Sequence, residues 1–371
     1  MTTLHIDPGV TAEEKERLAN VGYGAEGERA GTCVVVNQDV RHIGVNDEKV
    51  EILPLKDALL RYDWVQDLMF GLVDPDANAH VREAAESRHA PVGHFVRIRA
   101  GAKVQLPVQL FTLLEMPQGR QFHHNVTLIE KDAEVEMISG SAVPKRVHSG
   151  HHISLSETYL REGAICRSVS IEQWGAGMEV HSYARSHVGK GARSTDSKVQ
   201  MSPIKHHYAE SRTIIEEGGM SSDQSVIFAP AGTQRIMESE IHLKGGGAHS
   251  ESLTRMVSAG GSISNKALLV GEAKATKGFL GCNGLKLTEQ GEILSVPSLL
   301  ARSSEAQLSH EASIGMISQE KLAYLMSSGM SEDAARDLII QGFLTLKDEL
   351  LPEIVGEEVK KMIAAANSGS L

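Results

Sequence analysis

The sequence is poor in cysteine, in aromatic residues and in long apolar runs, and each shortage removes a class of protein. Three cysteines, Cys33, Cys166 and Cys282, are scattered over 371 residues with no C-x-x-C pair. An odd, dispersed set is no disulfide framework, and it suits a reducing cytoplasm. No run of 18 apolar residues occurs, so no transmembrane helix is expected. The opening Met1-Thr2-Thr3-Leu4-His5 lacks the basic-then-apolar texture of a signal peptide. Neither charge sign forms a block of five, and the formal net charge is −11, which disfavours nucleic acid as the main partner. Aromatic residues make up only 4% against 35 glycines. That balance suits a fold of many turns and small or β-branched residues better than a bundle anchored by rings.

Three textures follow one another along the chain. Residues 1–88 mix helix signals with a short hairpin. Thr11-x-x-Glu14 is a capping box. Thr32–Val36 and Val40–Val45 read as two strands. Helical spacing of Leu59, Leu60, Trp64, Val65, Leu68 and Met69 predicts a helix over 57–72, and Asp74-Pro75 resembles the cap of another.

Residues 89–311 carry short alternating strands broken by a recurring corner. The corners are Ala100-Gly101-Ala102, Lys131-Asp132-Ala133, Glu162-Gly163-Ala164, Lys190-Gly191-Ala192, Glu217-Gly218-Gly219, Gly245-Gly246-Gly247 and Gly271-Glu272-Ala273, about 25 to 31 residues apart. A propeller blade needs roughly 40 residues, so the period indicates a parallel β-helix with two or more strands per coil. Residues 312–371 return to helix. Ser318 and Ser331 are N-caps, Gly329 is a C′ residue, Ala334, Ala335, Leu338, Ile339 and Phe343 form an apolar stripe, and Pro352 precedes a last helix over 353–365.

The run Ala306-Gln-Leu-Ser-His310-Glu311-Ala-Ser-Ile-Gly315-Met-Ile-Ser318 resembles the end of the SufB/SufD β-helix. Leu322-Ala-Tyr324-Leu-Met-Ser-Ser-Gly329 through Ile339-Ile340-Gln-Gly342-Phe343 is similar to the helices that follow it in that family. Val169-Ser-Ile-Glu-Gln-Trp174 resembles the "VQNW" strand of SufB, and Val104–Phe111 the strand that opens the β-helix. The resemblance spans about residues 90–350. It implies a right-handed parallel β-helix flanked by helical regions and pairing through the C-terminal end of the β-helix. It also implies docking of a SufC-like ABC ATPase on the C-terminal helices, through Tyr324, Leu325, Leu338, Ile339 and Phe343. The work implied is scaffolding of iron–sulfur cluster assembly, with ATP hydrolysis on the partner.

The same resemblance assigns candidate residues. His310 and Glu311 stand where SufB carries a His-Glu pair and SufD a His followed by Gly, and both side chains can ligate iron. SufB proteins also carry a functional cysteine about nine residues after an earlier one. Cys282 matches the earlier cysteine, and Gly291 stands at the later position. Cys282 therefore joins His310 and Glu311 as a candidate for iron or a transient cluster. Cys166, Glu172 and Trp174 fall near the interior sulfur path implied for SufB. The residue-level alternative for each is a packed core side chain, and Cys33 is read as strand core.

His123-His124, His148-x-x-His151-His152 and His206-His207 invite a metal reading. Adjacent strand residues point apart, so each adjacent pair offers one ligand per face. Solvated turn histidines are the expectation. The Gly245–Gly247 run lacks a following Lys-Ser/Thr, so no nucleotide site is expected. Two other functions stay open: a SufD-like stabilising subunit without its own cluster, and a β-helical enzyme acting on a small molecule or sugar. The scattered carboxylates disfavour the enzyme.

Overall fold

The computed structural model describes residues 9–86 and 89–345. Its strands in chain order begin with β1 (Gly31–Val36), β2 (Asp39–Val45), β3 (Val50–Pro54), β4 (His94–Ile98), β5 (Val108–Leu113) and β6 (Arg120–Ile129). There follow β7 (Glu134–Ala142), β8 (Ser149–Leu160), β9 (Ile165–Gln173), β10 (Gly177–Val188), β11 (Arg193–Gln200), β12 (His206–Ile215) and β13 (Met220–Pro230). The last are β14 (Gln234–Leu243), β15 (His249–Ala259), β16 (Ser262–Gly271), β17 (Lys277–Lys286), β18 (Glu292–Ala301) and β19 (Gln307–Met316). Odd strands from β5 onward stack in parallel in one sheet, even strands from β4 in the other, and the chain passes alternately between them. This is a parallel β-helix of about eight turns, as the corner spacing predicts. The N-terminal strands extend it: β1 pairs parallel with β5, while β2 and β3 add antiparallel edges.

The corners hold the coils in register. The left-handed residue is Gly101, Asp132, Gly163, Gly191, Gly218, Gly247 or Ala275. At the first six its amide donates to a carbonyl of the next corner, as in Gly163 N to Lys190 O and Gly191 N to Glu217 O, at 2.9 and 2.8 Å. Conformational freedom at φ > 0 is what selects glycine at most of them. The seventh corner sits at Ala275 and not at Gly271-Glu272-Ala273, because Gly271 still pairs with Leu243 as the last residue of β16.

The helices are α1 (Ala12–Ala19), α2 (Leu55–Arg61), α3 (Ala79–Ala85), α4 (Gln319–Ser327) and α5 (Glu332–Leu344). α1 has the full Thr11–Glu14 capping box, and Ser318 and Ser331 cap α4 and α5. Two N-terminal expectations need correction. The predicted 57–72 helix stops at Arg61, and a 3-10 turn over Asp63–Val65 follows. Val65 and Leu68 bury against Phe95 and Tyr159, which the turns reach and a straight helix would not. Asn78 rather than Asp74 caps the next helix; the Asp74 carboxylate caps the Asp76 amide in a turn. The predicted 353–365 helix lies outside the described residues.

α4 and α5 lie on the outer face of the odd-numbered sheet. Leu322, Ala335, Ile340 and Leu344 pack with Val226, Phe228, Val257 and Leu285. Each fully buried leucine or isoleucine there contributes about 1.5–3 kcal/mol. The observed inner stripe is rotated from the predicted one: Ala335, Ile339 and Phe343 face the solenoid, whereas Ala334 and Leu338 face out. No helix among the described residues is long and apolar enough to cross a membrane.

Candidate functional site

Parallel strands in register put equivalent side chains in rows along the solenoid axis, alternately inward and outward. One inward row of the odd sheet runs Cys33, Leu110, Ser139, Ser170, Lys198, Ser225, Thr254, Cys282. Its neighbour includes Ser168, Asp196, Asp223, Ser252, Leu280 and His310. The solenoid is therefore apolar near its first coils and lined by hydroxyls and charges in its middle. A cavity of about 390 Å3 occupies that stretch, with Cys166, Glu172 and Trp174 on its wall. It reaches Asn265, whose Nδ2 lies 3.5 Å from the Cys282 sulfur.

Apart from Glu172, the charges inside the lumen carry no signal in the sequence. Lys198 Nζ is 3.9 Å from Asp223, and Asp196 accepts from the hydroxyls of Ser168 and Ser194. Burial raises Asp223 to about 6, Asp196 adds to the rise and Lys198 opposes it. In β11, polar residues occupy both faces, so alternation alone could not say which ones face inward. Arg235, fully buried, donates to Ser202 O at 2.9 Å and to His207 Nδ1 at 2.7 Å. That contact makes Nδ1 an acceptor, so His207 cannot also donate from it to Glu172, 3.6 Å away. Burial and the Arg235 charge hold His207 well below its usual range, while burial raises Glu172.

All three cysteines are buried and unpaired. Burial pushes the Cys33 thiol to about 12. It also raises Cys166, helped by Asp196, and raises Cys282 against the opposing contacts of Ser295 and Asn265. Such groups are thiols, not thiolates, in the resting protein.

Among the described residues, nothing covers the last coil. β18 and β19 are the terminal strands of their sheets. Leu294, Val296, Leu299, Leu300, Ile314 and Met316 are exposed on them, although most of the preceding coils bury such residues. His310 pairs with Leu280 and Glu311 with Gly281, so His310 continues the inward row and Glu311 the outward one. Cys282 is in the inward set on the adjacent strand, two positions beyond Leu280. His310 and Cys282 thus share a face at the open end, and Glu311 does not. Cys166 is four strands from Cys282 in the same sheet, roughly 19 Å along the solenoid axis at sheet spacing.

Gly291 has φ +79°, and a Cβ there would lie 2.5 Å from both Gly261 O and Ser258 Oγ. No cysteine fits that position in this backbone. On the helices, Tyr324 is 71% exposed and Leu338 49%, while Leu325, Ile339 and Phe343 pack against the solenoid. The histidine expectation is corrected: His123, His124, His152 and His207 are buried strand residues, held by hydrogen bonds such as His124 Nε2 to Glu157 Oε1 at 2.8 Å and His152 Nδ1 to Gln121 Oε1 at 2.7 Å. Pairs do point apart, with His152 on the lumen and His151 outside.

Comparison with known proteins agrees with this architecture. The family model for the SUF system FeS cluster assembly SufBD core domain matches residues 112–343. An iron–sulfur cluster assembly SufBD family protein of Archaeoglobus fulgidus is 32% identical over 96% of each chain. One from Methanothermobacter thermautotrophicus is 30% identical over 97% of this chain and 89% of its own. The iron–sulfur cluster assembly protein SufB of Bacillus subtilis is 22% identical over 75% of this chain and 61% of its own. The chain belongs to the SufBD family of the SUF system, and its work lies in iron–sulfur cluster assembly.

Proposed function

We propose that the chain is a scaffold subunit that pairs through its open last coil, with a second copy or a SufB/SufD paralogue, and works with a SufC-like ABC ATPase. The observation that carries this reading is the solenoid end, which no described residue caps. Two strand edges with unpaired backbone groups and six exposed apolar side chains form a surface that water solvates poorly. His310 lies at that end on the inward face with Cys282, and both would meet iron or a nascent cluster as substrate. Glu311, on the other face, would act at the rim. Cys166, Glu172 and Trp174 line the lumen that leads toward this end, which supports an interior sulfur path. Because burial keeps Cys166 a thiol, such a path would need a coil to open or a proton acceptor to approach. The exposed Tyr324 and Leu338 are the docking contacts for the ATPase, while Leu325, Ile339 and Phe343 hold the helices that present them. Unpaired buried thiols support a cytoplasmic setting.

A SufD-like stabilising role is favoured by one observation, the exclusion of a side chain at Gly291. Anaerobic co-purification with the ATPase separates the two readings. Iron and sulfide bound by wild type but not by His310→Ala/Glu311→Ala support the active scaffold. A complex without iron in either form supports the stabilising role. No complex at all overturns both.

A further inference from the structure

Three histidines from separate elements converge outside the solenoid, far from the seam. α3 is pinned to the outer face of the even-numbered sheet by Val81, which packs with Val73, Ile153, Leu155 and Tyr183. That docking sets His80 over β8 and β10. His151 and His181 point outward because the alternate residues His152 and Val180 are inward and buried. The two strands are paired, with Glu179 opposite His151 and His181 opposite Ile153, so the two imidazoles are diagonal neighbours. Ring centroids lie 4.3 Å apart for His80–His181, 5.3 Å for His151–His181 and 5.8 Å for His80–His151. One ligand nitrogen from each ring lies within 4.8 Å of the other two.

We propose that His80, His151 and His181 form a binding site for one divalent first-row transition metal ion, which ties α3 to strands β8 and β10. Two further observations separate a site from plain ring packing. His80 Nδ1 is hydrogen-bonded to the Tyr183 hydroxyl at 3.0 Å, which orients the ring and leaves Nε2 for a ligand. His151 Nε2 is buried with no hydrogen-bond partner, a cost that a metal bond would remove. Burial, with the Arg120 charge near His80 and His151, pushes all three imidazoles down, His181 to about 4.

The donor set selects the ion. Three imidazoles with no thiolate suit Zn, Fe, Ni or Cu and disfavour Ca and Mg. Nitrogens bound at 2.0–2.1 Å to a tetrahedral ion lie about 3.4 Å apart, so the rings need to close by at most about 1.4 Å. The flanking charges nearly cancel. Arg120 is paired with Glu83 at 2.6 Å, and Lys205 with Glu179 at 2.6 Å. Glu179 stands in register between His151 and His206 and can take the fourth position by releasing Lys205.

The test uses the full, untagged chain, stripped with chelator and titrated with Co(II) and Zn(II). The expected result is one tight equivalent, with visible d–d bands and no sulfur-to-cobalt charge transfer in the near ultraviolet. His80→Ala, on the surface helix, and His181→Ala should each weaken Co(II) binding at least 100-fold, while His249→Ala on β15 leaves it unchanged. In wild type, Zn(II) should slow amide exchange in α3. Wild type that takes up no Co(II), binding in the His80 and His181 variants as tight as in wild type, or binding lost only in His310→Ala would overturn the site.

Discussion

Glu157 offers the sharpest test of how the N-terminal segment is held. Its side chain is fully buried on the outer face of β8. Oε1 accepts from Phe70 N at 2.6 Å and from His124 Nε2 at 2.8 Å, and Oε2 from Leu72 N at 2.6 Å and Val73 N at 3.1 Å. Four donors converge on a group with acceptors only, so Glu157→Gln conserves shape but cannot conserve the bonds. The glutamine oxygen serves one pair of donors and its amide faces the other pair, donor against donor. Two hydrogen bonds to a charged group are lost, at about 1.5–3 kcal/mol each. Leaving one side of a buried pair uncompensated gives a similar figure, about 3–5 kcal/mol. If the solenoid stays folded, that loss falls on local opening of the segment before α3. At 1.4 kcal/mol per tenfold, amide exchange over residues 66–76 should quicken about 100- to 3,000-fold, with β13–β17 unaffected. Hydrogen exchange by mass spectrometry reads this directly. Exchange in that segment within fivefold of wild type would refute the clamp.

Asp223 should make stability fall as pH rises. Its folded value of about 6 exceeds the ordinary 3.8, so the native state keeps a proton that the unfolded chain has released between about pH 4 and pH 6. The contribution lost across that window is roughly 1–3 kcal/mol, and Asp223→Asn should remove that part of the slope in urea titrations. A wild-type-minus-variant difference that is flat or rises with pH rejects the assignment. The buried thiols should leave the native chain unreactive toward a thiol reagent at pH 7.5 for minutes, with three equivalents titrating after denaturation. Rapid labelling of Cys282 would instead show that the open end admits solvent to the lumen. Val296→Glu puts a carboxylate on the exposed face of β18 and should weaken self-association or paralogue pairing at least 100-fold, about 2.7 kcal/mol, by light scattering. Unchanged assembly would move the interface elsewhere.

Local signals were legible because they depend on neighbours in the chain. The Thr11–Glu14 capping box and the caps Ser318 and Ser331 each join residues three apart, and all three form. The corner period was legible for the same reason: each coil repeats one turn requirement. What failed were features set by packing. The helix predicted over 57–72 breaks after Arg61 because Val65 and Leu68 have to reach the Phe95 cluster. The stripe on α5 rotates because the sheet beneath decides which residues face it.

By itself, then, the sequence determined the coil length, the strand alternation, the caps and the family resemblance, all carried by short spacings that backbone geometry reads directly. Only the tertiary structure decided which polar residues turn inward to line a lumen, since alternation names two faces without saying which is buried. Alternation already sends His310 and Glu311 to opposite faces, and only the tertiary structure showed that His310 is the inward one. Only it brought His80 against His151 and His181, because stacking coils turns separations of 71 and 101 residues into neighbouring rings.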